Sequence, residues 1–209
     1  MLRTSTVAGV LLSLLAVPSP ALADDAPPPP DKITIDVVSV NGSGCPAGSA
    51  AVAVNHDNTA FTVTYSRYLA QAGAGASPTD FRKNCQLNLR VNVPHGFTYA
   101  VAQADYRGFA NLAHGATGME RANYYFAGMS PTAQISHSFR GPLSDNWQTT
   151  DRTEIADLVY APCGEQRNLN VNTELRVNKG TSTANSFMSM DSTDGSVNTI
   201  YHFAWKKCD

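Results

Sequence analysis

Residues 85–93 read Cys85-Gln86-Leu87-Asn88-Leu89-Arg90-Val91-Asn92-Val93. Every second side chain from Cys85 to Val93 is apolar, and Gln86, Asn88, Arg90 and Asn92 fill the positions between. Successive side chains of an extended chain point to opposite faces, so this period of two predicts a strand with one dry and one wet face. Strands of that kind pack dry face to dry face as antiparallel sheets.

The same period recurs on both sides of this stretch. Asn168 to Val177 alternates through Leu169, Val171, Thr173, Leu175 and Val177, and Val197 to Trp205 through Val197, Thr199, Tyr201, Phe203 and Trp205. Upstream, Ile33 to Val40 places Ile33, Ile35 and Val37 on one face. Ala50 to Val54 and Phe61 to Tyr65 flank Asn55-His56-Asp57-Asn58, a polar cluster suited to a hairpin turn. Pro94-His95-Gly96 predicts another turn, with Phe97 to Ala104 as the hairpin partner of the Cys85 strand. Helical signals are scarce. Arg67 to Gln71 fits one turn that Gly73, Gly75 and Pro78 stop, and Ile155 to Tyr160 is too short before Pro162. The expected fold is all-β, a single antiparallel β-sandwich domain over residues 33–209.

The chain has 209 residues, 43% of them hydrophobic and only 15% charged, with a net charge of -2. A soluble protein averages about 25% charged residues, so the wet faces must rely on amides and hydroxyls. Asn88, Asn92, Asn168, Asn170, Asn172 and Asn178 supply them. The balance argues against a nucleic-acid partner, which calls for a basic patch or stripe.

Residues 1–23 read as a secretory signal peptide: a positive start ending at Arg3, an apolar run from Val7 to Val17, then Pro18, Pro20 and Ala21-Leu22-Ala23, with cleavage after Ala23. The apolar run is about half of the roughly 20 residues that span a bilayer, and no membrane span is expected. Residues 24–32, Asp-Asp-Ala-Pro-Pro-Pro-Pro-Asp-Lys, form a stiff proline-rich linker. The protein is therefore expected to be secreted and extracellular. Asn41-Gly42-Ser43 is a glycosylation sequon, relevant only in a eukaryotic secretory pathway.

Cys45, Cys85, Cys163 and Cys208 in an exported chain predict a disulfide framework, for which three connectivities are open. The working expectation is sequential pairing, Cys45–Cys85 and Cys163–Cys208. Each bridge would close a loop of about 40 residues and restrain the unfolded chain by roughly 4 kcal/mol. With no C-x-x-C pair, neither a redox site nor a structural zinc is expected.

Chemistry-bearing motifs are absent from the sequence: no G-x-S-x-G, H-E-x-x-H, P-loop or dinucleotide fingerprint occurs. His56, His95, His114, His137 and His202 are far apart in sequence and are expected to act singly. Asp145, Asp151, Glu154 and Asp157 gather beside Trp147 and the Gly141-Pro142 turn. Paired acids of this kind serve glycoside hydrolysis or calcium, but the spacing matches neither motif, and a polar loop is the expectation. Asp191 to Gly195 reads as a hairpin turn. Tyr124, Tyr125 and Phe126 are consecutive, so at least one should point away from the core. Tyr124, Tyr125, Trp147 and Asp145 are the candidate ligand contacts, with neither catalytic residue, metal nor cofactor expected.

Several segments together carry a resemblance. They are Tyr99 to Leu112, the Tyr124-Tyr125-Phe126 run, Phe139-Arg140-Gly141-Pro142-Leu143, Ala161-Pro162-Cys163-Gly164, and the ending Phe203-Ala204-Trp205-Lys206-Lys207-Cys208. In this order they resemble the secreted family named domain of unknown function 4360, over about Ile33 to Cys208. The resemblance implies a small exported β-rich domain with a matching four-cysteine arrangement, and it transfers no catalytic residue. The functional expectation is a non-catalytic extracellular binding module for polysaccharide or cell wall. The alternatives are a secreted hydrolase using the acids of residues 145–157, and an inhibitor or effector docking on an extracellular protein.

Overall fold

The computed structural model describes residues 26–132, 134–190 and 198–208. The leader with its cleavage point after Ala23, and the Asp191 to Gly195 turn, lie outside the described residues. Among the described residues twelve strands occur in order: β1 Thr34–Asn41, β2 Ala50–Val54, β3 Ala60–Tyr65, β4 Leu69–Ala72, β5 Arg82–Asn92 and β6 Phe97–Leu112, then β7 Thr117–Phe126, β8 Ile135–Arg140, β9 Leu143–Arg152, β10 Leu169–Asn178, β11 Ser186–Met190 and β12 Thr199–Lys207. A 3-10 turn covers Ile155–Asp157. Among the described residues no helix is long and apolar enough to cross a membrane.

The strands form two antiparallel sheets. One has five strands in the order β1-β5-β10-β7-β8, and the other runs β2-β3-β12-β6-β11-β4, with β9 along the far side of β6. The dry parities of both sheets meet in one core that includes Phe61, Leu87, Leu89, Tyr106, Leu169, Leu175, Met188 and Tyr201. The period-two alternation is borne out in β5, where Cys85, Leu87, Leu89 and Val91 are buried.

Two local expectations are corrected by the pairing. Residues 97–104 do not form a hairpin with β5: β5 pairs with β1 and β10, and β6 lies in the opposite sheet, so Pro94 to Gly96 is a crossover between layers. The Arg67 to Gln71 region is not a helical turn, because β11 supplies a strand partner for Leu69–Ala72. In β1, Ile35 and Val37 share the face of Val91 and Leu89 as expected, with Val37 39% exposed on this edge strand and a register shift following before Ser39. The β2–β3 hairpin forms in the register Val52↔Val63.

Two local features hold neighbouring segments together. Gly108 lies where β6 passes under Trp147 and beside β11, and a Cβ there would overlap the Ser189 carbonyl and the indole ring. Asn58 adopts a positive φ of 58°, a left-handed conformation that Asn adopts more readily than most residues. Its amide donates to the carbonyls of Pro29 and Asp31, and its Oδ1 accepts from Ile33 N–H. The proline segment is thereby docked on the sandwich, with Pro29 buried and Ala26 bridged to Trp205. Cys45 is bonded to Cys85 and Cys163 to Cys208. The first bridge ties the loop after β1 to β5, and the second ties the segment before β10 to the end of β12.

Candidate functional site

The outer face of the five-stranded sheet is built from the polar parity of each strand. Antiparallel register places Asn88 of β5 opposite Asn170 of β10, which stands opposite Tyr125 of β7. One step along, Gln86, Asn172 and Asn123 form a second row. A third joins Asn84, Glu174 and Arg121, and a fourth Arg82, Arg176 and Met119.

The rows differ in what their side chains already do. Asn88 donates to Asn170 Oδ1 at 2.7 Å and accepts from Asn168 at 2.7 Å. Gln86, Asn123 and Asn172 hydrogen-bond to no side chain among the described residues, and they line a depression of about 230 Å³. An amide offers both donors and an acceptor, so this row can answer a hydroxyl in either sense.

Glu174 anchors the charged end of the depression. Its Oε2 accepts from Arg82 Nε at 2.6 Å and Arg121 Nη2 at 3.1 Å, and its Oε1 accepts from Arg176 Nη2 at 2.9 Å. Burial alone would raise its pKa. The hydrogen bond from Arg82 and the charges of Arg121 and Arg82 outweigh that, so it lies below the ordinary carboxylate range. Arg82 and Arg176 remain 45% and 43% exposed.

A second polar group lies between the sheets. Glu120 sits on the dry parity of β7, between Gly118 and Ala122, and is fully buried. Thr149 Oγ1 donates to its Oε2 at 3.4 Å, and Oε1 has no hydrogen-bond partner among the described residues. Burial, reinforced by the nearby Asp151 charge, pushes its pKa up to about 9, so it is a neutral acid at pH 7. Asp151, also buried, accepts from the Tyr124 hydroxyl at 3.1 Å and lies 2.6 Å from His137 Nε2. Tyr106 and Tyr201 pack edge to face at 6.0 Å, and burial holds both hydroxyls in the protonated form.

The candidates read from sequence scatter over these surroundings. Tyr124 points inward to Asp151, whereas Tyr125 faces outward at the end of the Asn88 row. Trp147 is buried against Phe139, with ring centroids 5.3 Å apart. Asp145 is exposed at the far end of β9 and caps the Asn146 N–H at 2.7 Å. Acids expected in a loop therefore begin in a strand, because β9 pairs with β6 from Leu143 to Arg152. Asp145 and Asp151 are six residues apart on β9, about 20 Å at the usual rise per residue. That exceeds the roughly 5–9.5 Å that two glycosidase carboxylates need.

Sequence reading overlooked Glu120, Glu174 and the three arginines. Glu120 carries a usable signal, a charged residue on the dry parity of Gly118, Ala122, Tyr124 and Phe126. Two of the five histidines also meet acids, His137 with Asp151 and His202 with Asp105 at 2.9 Å. Asp105 accepts from Thr150 and Gln103 as well, so that group is internally satisfied.

A sequence profile of the family described as "Domain of unknown function (DUF4360)" matches residues 31–208. An "Uncharacterized secreted protein" of Arthroderma benhamiae is 35% identical over 181 residues, covering 87% of this chain and 74% of the relative.

Proposed function

This secreted chain belongs to the family described as domain of unknown function (DUF4360), and from that premise we propose that it is a non-catalytic extracellular binding module for polysaccharide. The ligand lies across the outer face of the five-stranded sheet. One observation carries this reading: the uncommitted amides of Gln86 and Asn172 stand side by side on adjacent strands, with the buried Asn123 completing the row on a third. Neighbouring strands are about 4.8 Å apart, so a chain crossing β5 and β10 meets a donor–acceptor pair on each. Tyr125, at the end of the adjoining row, offers a ring face next to those amides.

The test is depletion of the protein from solution by insoluble polysaccharides, with albumin as the control. Wild type should enter the pellet, and Gln86→Ala combined with Asn172→Ala should cut the bound fraction at least severalfold. Retention no greater than albumin on every polysaccharide, or unchanged retention of the double variant, overturns the assignment.

A further inference from the structure

We infer that the polysaccharide taken by this face is an acidic one, bearing carboxylate or sulfate groups. The inference rests on the binding reading above and adds the chemical class of the ligand. Arg82, Arg121 and Arg176 converge from β5, β7 and β10 on the single carboxylate of Glu174. Three guanidinium groups against one carboxylate leave two positive charges in excess, in a chain whose net charge is -2.

A structural ion pair needs one arginine, and Glu174 is saturated by fewer donors than the three groups carry. Each guanidinium has five N–H donors in a planar fork that matches a carboxylate or a sulfate. Glu174 holds the three forks in place and uses only part of their capacity, while Arg82 and Arg176 stay nearly half exposed. Arg82 and Arg121 line the same depression as Gln86 and Asn172. Fixed cations beside uncommitted amides suit a chain that alternates anionic groups with hydroxyls. A nucleic acid fits less well, because an acidic chain of low charge density lacks the extended basic surface that a polyphosphate backbone demands.

The experiment compares retention on four supports: neutral cellulose, insoluble polygalacturonate, dextran-sulfate beads and polyglutamate beads, at about 0.02 and 0.15 M salt. Polygalacturonate or dextran sulfate should retain about tenfold more protein than cellulose at low salt, with the advantage shrinking at higher salt. Their relative retention separates a carboxylate-bearing from a sulfate-bearing ligand. Arg82→Ala combined with Arg176→Ala should abolish the preference for the anionic supports over cellulose. The wild-type salt dependence tests the same point without any variant. Equal retention on cellulose and both anionic supports overturns this inference and leaves the binding module standing. Equal or stronger retention on polyglutamate overturns it in favour of an acidic protein. Retention on none of the supports overturns both.

Discussion

Glu120 and Glu174 stand one register step apart on neighbouring strands. Glu174 of β10 pairs with Arg121 of β7, and the next residue, Leu175, pairs with Glu120. That single step sends one carboxyl outward among three guanidinium groups and the other inward among tyrosines. Their pKa values move in opposite directions, Glu174 below the ordinary range and Glu120 up to about 9. The residue type is the same, so the difference belongs to the surroundings: cations and hydrogen bonds favour the charged form, and burial beside Asp151 favours the neutral one. The outer carboxylate organises charge toward solvent, while the inner one is a polar group held where little can answer it.

The largest expected effect is at the acceptor inside the sandwich. Asp151→Ala removes the partner of both the Tyr124 hydroxyl and His137 and should lower unfolding free energy by about 3 kcal/mol in urea titrations. A loss under about 1 kcal/mol would mean that the inner cluster is indifferent to its acceptor.

Glu120→Gln should act in the opposite direction. Glu120 has a folded pKa above its unfolded value, so its stabilising contribution is complete below about pH 4.5 and declines as pH rises toward about 9. Replacing it with the neutral amide should raise stability at pH 7 by about 2 kcal/mol, after allowing about 1 kcal/mol for burying the amide. It should also flatten the slope of stability against pH in that window. A parallel slope in wild type and variant would place the ionisable inner group elsewhere.

Glu174→Gln should cost about 1 to 2 kcal/mol at neutral pH, since it takes the shared charge away from three arginines. Here the folded pKa is lowered, so the contribution is present above the unfolded pKa and is lost as pH falls through the folded one. Acid unfolding curves of variant and wild type should therefore converge at low pH, and curves that diverge there would refute the sign. Smallest of all, Gln86→Ala with Asn172→Ala should shift thermal unfolding by no more than about 0.5 kcal/mol in free energy, while polysaccharide retention falls. A large stability loss would make that row structural.

Part of this contrast is legible before folding. The alternation of residues 85–93 and 168–177 assigns Glu174 to the wet parity with Asn170, Asn172 and Arg176. Glu120 breaks the dry parity of Gly118, Ala122 and Tyr124, a signal that the segment's weak alternation hides. The convergence of Arg82, Arg121 and Glu174 has no local signature, because these residues are 92 and 53 positions apart. The Pro94 to Gly96 turn is similarly silent: the same residues can close a hairpin or carry the chain to the opposite sheet. The long β6, which pairs with β12, β11 and β9 in turn, takes it to the opposite sheet.

By itself the sequence determined an extended chain, the parity of its side chains and an exported, cysteine-bearing class, since period and composition are properties of neighbouring residues. Only the tertiary structure decided which strands lie side by side. Strand pairing is a long-range choice made by the burial of whole faces, and that choice set one glutamate among arginines and the other among tyrosines.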